Sequence, residues 1–65
     1  MNITNSWYLV NKAIKEAERL KQKSISEMQY RNYMVLRDKD EYVVEMFTYA
    51  SRDKAIKSNS LLLVI

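Results

Sequence analysis

The sequence contains no glycine, so every turn that needs a positive φ angle must be made by another residue type. Asparagine and aspartate tolerate this left-handed conformation better than most residues do. The sequence therefore predicts a hairpin turn at Asp38-Lys39-Asp40, with an aspartate in the left-handed region. It also predicts that Asn59 ends a helix in the place where glycine is usual.

The chain is also short, at 65 residues, and it lacks both cysteine and histidine. This length corresponds to a single small domain, residues 1–65. Domains of this size usually draw stability from disulfides, a structural metal or a partner subunit. Without cysteine or histidine, disulfides and nearly all zinc, haem and iron–sulfur sites are excluded. We therefore expect no cofactor and no metal, and we expect self-association, as a homodimer, or an obligate partner.

The overall composition is that of a globular domain, with 48% hydrophobic and 29% charged residues. The net charge of +3 permits contact with nucleic acid or an acidic protein without requiring either. The longest wholly apolar run, residues 61–65, is far shorter than the ~20 residues that span a bilayer. We expect a cytoplasmic protein with no membrane partner, of a size and composition typical of phage and mobile-element proteins.

Residues 6–24 have the apolar spacing of a helix that buries one side. Thr4, Asn5 or Ser6 is expected to cap its start by accepting a backbone N–H. Good helix formers occupy the remaining positions. The apolar side consists of Trp7, Val10, Ala13, Ile14, Ala17 and Leu20.

Residues 28–37 and 41–49 are rich in β-branched and aromatic side chains, which predicts a β-hairpin. A three-residue loop would pair Arg37 with Glu41 and keep Glu41 and Glu45 off the apolar face. That apolar face would contain Met28, Tyr30, Met34, Leu36, Tyr42, Val44 and Met46. The opposite face would be mixed, with Gln29, Arg31, Tyr33, Val35, Val43, Glu45, Phe47 and Tyr49.

The remaining chain predicts a short helix at residues 52–58, capped by Ser51, and a buried strand at residues 60–65. The predicted fold is α+β: a long N-terminal helix packed on a small antiparallel sheet, with a short second helix. The sheet is the hairpin, with the C-terminal segment as a candidate third strand. The predicted core is Trp7, Val10, Ile14, Ala17, Leu20, Met28, Met34, Leu36, Val44, Met46, Ile56, Leu61 and Leu63.

The residue types that are missing argue against an enzyme. Without histidine, cysteine or glycine there is no histidine-based triad, no thiol nucleophile and no glycine-rich phosphate loop. We therefore expect no small-molecule substrate. A ribonuclease-type toxin that uses Tyr30, Arg31 and Arg52 is a weaker alternative. The acidic residues around the hairpin turn are interpreted as a polar turn rather than a cation site.

The mixed face of the hairpin is the leading candidate for a partner-binding surface, because one helix covers only one face of a sheet. An exposed patch with aromatic and arginine side chains resembles a protein interface. The leading hypothesis is a small non-enzymatic protein that binds and regulates or inhibits a larger macromolecule. The alternative is that the second helix or the C-terminal strand covers this face. The predicted partner-binding residues are Tyr33, Val35, Val43, Phe47 and Tyr49.

The first helix carries a second candidate surface opposite its apolar side. One tyrosine and four basic residues, spaced by four, three, four and four, form a single stripe. Such a stripe suits contact with phosphates, although a solvated helix face has the same pattern. The alternative function is therefore a small nucleic-acid-binding regulatory protein. We call these residues the basic stripe: Tyr8, Lys12, Lys15, Arg19 and Lys23.

Overall fold

A computed structural model describes the backbone of residues 3–65 and the side chains of residues 8–65. The elements are α1 (Ile3–Ser26), β1 (Tyr33–Asp38), β2 (Glu41–Met46), α2 (Tyr49–Lys57) and β3 (Leu61–Val64). The predicted α+β class, with its long N-terminal helix and short second helix, is confirmed. No helix within residues 3–65 is long and apolar enough to cross a membrane.

The three strands form one antiparallel sheet in the order β2-β1-β3. The predicted C-terminal strand is therefore present, and β1 lies at the centre with a neighbour on each side. The β1–β3 pairing contains a bulge between Val35 and Leu36. Both outer strands are edges, which places β2 and β3 at opposite sides of the molecule.

The helix α1 begins earlier than predicted, at Ile3, and it ends at Ser26, within the range 24–26 that the sequence predicts for its end. It runs through Thr4, Asn5 and Ser6, so the prediction that one of these caps its start is wrong. Trp7, predicted for the core, has a side chain outside the described part of the chain. The helix ends in a Schellman motif, in which the Met28 N–H donates to the Ile25 carbonyl (3.0 Å) and the next residue reaches back to Ser24.

The hairpin has a two-residue turn, so the predicted three-residue loop is wrong. Asp38 pairs with Glu41, and Val35 pairs with Val44. Lys39, not an aspartate, takes the left-handed conformation, at φ 57°. A shift of one residue in pairing turns every side chain to the other face of the strand. The predicted apolar and mixed faces are therefore not the faces that the sheet has.

The helix α1 packs on one face of the sheet through small residues. Ala13 and Ala17 lie against Val35, and all three are buried. Alanine at these positions allows the helix backbone to approach the central strand closely. Partly buried apolar residues surround this contact: Ile14, Tyr33, Tyr42, Val44, Leu63 and Ile65.

The second helix covers the other face. Met34 and Leu36 of β1 pack against Ala55 of α2, and all three are buried. Val43, Phe47 and Leu61 complete this second cluster. The sheet thus lies between two helices, each of which approaches it through alanine.

Edge position explains why this register tolerates its acidic residues. The two-residue turn places Glu45 opposite Met34 and Glu41 opposite Asp38. Both glutamates are exposed because β2 is an edge strand, and a carboxylate there remains in water. The argument that Glu41 and Glu45 must avoid an apolar face therefore does not decide the register.

The second helix begins with a capping box. The Thr48 hydroxyl accepts from the Ser51 N–H (3.0 Å), and the Ser51 hydroxyl accepts from the Thr48 N–H (3.0 Å). The cap is thus Thr48, not Ser51 as predicted. At the other end, Asn59 has φ 56°, and the Ser60 N–H donates to the Ala55 carbonyl (3.0 Å). The prediction that Asn59 ends this helix is confirmed.

The predicted core is right for part of the chain. It is wrong where the hairpin register, the start of the first strand or the inward side of the second helix was predicted wrongly. Ala17, Met34 and Leu36 are buried as predicted. Partly buried members are Val10, Ile14, Leu20, Val44, Leu61 and Leu63. The predictions for Met28, Met46 and Ile56 are wrong, because these three side chains are exposed. Ala13 and Ala55, which the sequence places on the inward sides of the two helices, are buried, whereas the buried Val35 was predicted for the mixed face.

The register is tested by a pair of substitutions. Val35→Ala removes two buried methyl groups, and we expect it to lower the free energy of unfolding by about 2 kcal/mol. Met46→Ala removes more atoms from an exposed position, and we expect a smaller loss. Urea unfolding of both variants measures the difference. A larger loss for Met46→Ala would contradict the observed register.

Candidate interaction surfaces

The five predicted partner-binding residues do not form one exposed face. Tyr33 and Val35 lie beneath α1, and Val35 is fully buried. Val43 and Phe47 pack on the α2 side, where they are partly buried. Tyr49, in the first turn of α2, is the one member that is largely exposed. The expectation of a single mixed face was wrong because both faces of the sheet have a helix on them.

Three of the most exposed apolar side chains belong to segments that meet at one end of the sheet. The loop of residues 27–32 leads into β1 at this end, and residues 47–49 leave β2 there. The Phe47 N–H donates to the Asn32 carbonyl (2.8 Å) and joins the two segments. Met28, Tyr30 and Tyr49 are 79%, 69% and 80% exposed. We call these three residues the end patch.

A buried serine holds the loop of the end patch in place. The Ser24 hydroxyl donates to the Lys21 carbonyl (2.8 Å) and accepts from the Arg31 N–H (3.1 Å). The Ser24 carbonyl accepts from the Gln29 N–H (2.8 Å) and, at 3.4 Å, from the Tyr30 N–H. One residue at the end of α1 thus orients three successive residues of the loop. The loop is built on a defined hydrogen-bonded frame.

The same loop contains two left-handed residues that are not glycine. Met28 has φ 58° and Tyr30 has φ 52°. Each such conformation costs roughly 1–2 kcal/mol for a residue with a Cβ atom. Packing of the Met28 and Tyr30 side chains does not offset this free-energy cost, because both side chains are largely in water. Residues held in sparsely populated backbone conformations cluster at functional sites in proteins.

The side chains in and around the end patch are of types that are common in protein interfaces. Tyrosine, methionine and arginine are the residue types enriched in such interfaces. Arg31 is exposed in the same loop, and Arg52 is exposed in α2 close in sequence to Tyr49. Tyr30, Arg31 and Arg52, considered above for a ribonuclease, therefore lie in segments at this end of the sheet.

Sequence reasoning missed Met28 and Tyr30 because it placed both on a buried strand face. The loop that contains them is not part of β1, which begins at Tyr33. The available signal was the absence of glycine. A long helix without glycine after its last turn must end with another residue in the left-handed conformation. Nothing in the local sequence identifies methionine as that residue.

The basic stripe is exposed along the outer side of α1, as its spacing predicts. All five side chains are exposed, and the Lys12 Nζ lies 6.0 Å from the centre of the Tyr8 ring. Arg19 is engaged by Glu16: its Nη2 donates to Glu16 Oε1 (2.6 Å) and its Nε to Oε2 (3.0 Å). These hydrogen bonds, aided by charge attraction, hold the pKa of Glu16 below its ordinary value and raise the pKa of Arg19.

Two open grooves complete the described surface. One, of about 620 Å³, runs between α1 and β2 and includes Leu9, Leu20 and Tyr42. The other, of about 500 Å³, lies under α2 and includes Arg37, Lys54 and Ser58. In the described part of the chain, no three acidic residues are grouped so that they would hold a metal ion. Every buried side-chain polar atom described has a hydrogen-bond partner.

Comparisons with protein-family models, curated proteins and solved structures find no match for this chain. A functional assignment therefore depends on the surfaces of the molecule itself.

The left-handed backbone conformation of Met28 at the end of α1 leads to a prediction about stability. Met28→Gly removes the left-handed penalty, and part of this gain is offset by the greater freedom of glycine in the unfolded chain. We expect a net gain of about 0.5–1 kcal/mol in the free energy of unfolding.

Glu27→Gly is the matched control, one residue earlier and also exposed, where φ is not positive. We expect that variant to lose up to about 1 kcal/mol. Thermal and urea unfolding of both proteins measure the two changes. A destabilising Met28→Gly would show that the methionine side chain serves the fold.

Proposed function

We propose that this chain is a small non-enzymatic interaction protein that binds a larger macromolecular partner, a protein, and regulates or inhibits it. The end patch is the working surface. One observation carries the proposal: Met28 and Tyr30 hold strained backbone conformations while their large side chains remain in water. A partner that buries these side chains gains apolar contact that the isolated chain leaves in water.

The arrangement of the patch supports tight binding from a small area. The Ser24 hydrogen bonds fix the loop before a partner arrives, so less conformational freedom is lost on binding. Tyr30 and Tyr49 each present a rigid ring and a polar hydroxyl, which suits a central anchor. The exposed Arg31 and Arg52 are suited to pair with acidic groups at the rim.

We also propose that the protein acts in the cytoplasm and is encoded by a phage or another mobile element. The absence of cysteine fits a reducing compartment such as the cytoplasm. Small size and a composition rich in asparagine, lysine, isoleucine and tyrosine fit a phage or mobile-element protein that acts on a host macromolecule.

The end patch is tested by a paired substitution. Tyr30→Ser with Tyr49→Ser removes both rings from exposed positions, so we expect the fold to survive. The immobilised full chain is incubated with extract of the cells that express it, and the retained proteins are quantified by mass spectrometry. We expect a specific protein bound by the unmodified chain to be reduced by about tenfold or more with the paired variant.

Tyr8→Ser is the matched control, because Tyr8 is also largely exposed but lies on the basic stripe. We expect that variant to retain the same protein at the unmodified level. The retained protein is then purified and titrated against all three chains by calorimetry. Equal affinity for the unmodified chain and the paired variant would contradict a role for the end patch.

Nucleic-acid binding through α1 is a second candidate, supported by the exposure of the whole basic stripe on one side of the helix. The ion pair with Glu16 weakens this candidate, because it neutralises Arg19 locally. Lys12, Lys15 and Lys23 remain as the principal phosphate contacts. This is one reason why we place the protein partner first.

The second candidate makes a salt-dependent prediction. With three lysines on phosphates, the slope of log affinity against log salt should be about −3 in fluorescence anisotropy with mixed-sequence DNA or RNA. Glu16→Gln should strengthen binding because it frees Arg19, and the triple variant Lys12→Glu/Lys15→Glu/Arg19→Glu should abolish it. No binding by the unmodified chain at low salt would exclude this function.

A further inference from the structure

The two edges of the sheet differ in charge. The β2 edge carries Glu41 and Glu45, both exposed. The β3 edge has no ionisable side chain anywhere in residues 60–65. Proteins protect open edges with charged residues, proline, bulges or short strands. β3 is short and bulged, but it has no charged side chain to keep another strand away.

The outer side of β3 offers main-chain groups for pairing. Tyr33 and Ile65 exchange two backbone hydrogen bonds, with N–H to O distances of 3.1 and 2.8 Å. Successive residues of a strand point these groups to opposite sides. The N–H and carbonyl of Val64 therefore project away from β1. No strand within residues 3–65 lies beside them.

The same edge exposes apolar side chains. Leu62 and Val64 are 47% and 48% exposed, whereas Leu61 and Leu63 are more buried on the two sides of the sheet. An added strand along this edge would cover the outer two side chains and satisfy the main-chain groups of Val64 together. Pairing at a sheet edge is stabilised both by the main-chain hydrogen bonds and by the burial of apolar side chains.

We infer that β3 pairs antiparallel with β3 of a second copy of this chain, about a two-fold axis, to form one six-stranded sheet. Side-chain charge favours this edge for pairing between two copies: two β3 strands meet without side-chain repulsion, whereas β2 pairing would bring Glu41 and Glu45 of two chains together. A symmetric β3 pair also closes at two copies, whereas β3 on β2 would continue into a filament.

Sedimentation equilibrium of the full chain, from micromolar to millimolar concentration, tests the inference. We expect a reversible change from the 7.8 kDa chain to twice that mass. Leu62→Lys, and separately Val64→Lys, should raise the dissociation constant by about tenfold or more, because each places like charges across the two-fold axis. Ile56→Lys, at a similarly exposed apolar position on α2, should leave it within about twofold.

A measurement without substitution guards against variants that fail to fold. Hydrogen exchange of the Val64 amide, followed by NMR, should slow as the concentration of the unmodified chain rises. A chain that stays monomeric throughout, or a dimer that both edge variants leave intact, would overturn the inference. The end-patch variant Tyr30→Ser/Tyr49→Ser should dimerise normally, so failure of partner binding and failure of dimerisation are separable.

Discussion

Met34, Val35 and Leu36 are buried one after another, although alternate side chains of a strand point to opposite faces. Both faces of β1 must therefore be covered, and the two helices do this. Ala13 and Ala17 bring α1 close to Val35, and Ala55 brings α2 close to Met34. In a chain without disulfides, this central strand with an alanine-lined helix on each side is the principal source of stability.

Covering both faces determines where the remaining apolar surface lies. With a helix on each sheet face, the end patch contains three of the most exposed apolar side chains, and the β3 edge adds Leu62 and Val64. The end patch combines strain, exposure and a hydrogen-bonded frame from Ser24. The β3 edge combines uncharged side chains with outward main-chain groups. These two surfaces use different residues of the chain.

The elements were predictable from local signals, whereas the faces of the sheet were not. Helical spacing identified α1, and Asn59 marked the end of α2 because asparagine replaces glycine in the left-handed conformation. The register failed because Glu41 and Glu45 lie on an edge strand, where either face reaches water. The turn also placed Lys39 in the left-handed region, which residue preference does not indicate. With the register wrong, Val35 was assigned to a binding face, and because the first strand was begun too early, Met28 was assigned to the core.

The pairing of β1 with β2 is the central claim, and cross-strand NMR contacts test it most directly. The Phe47 N–H donates to the Asn32 carbonyl, so by alternation Val35 and Val44 form a pair without mutual hydrogen bonds, with their Cα atoms close. We expect a strong nuclear Overhauser effect between the Hα atoms of Val35 and Val44. A strong Hα contact between Val35 and Val43 in its place would show the three-residue loop. That result would return Val35 to the mixed face and contradict the two-sided burial of β1.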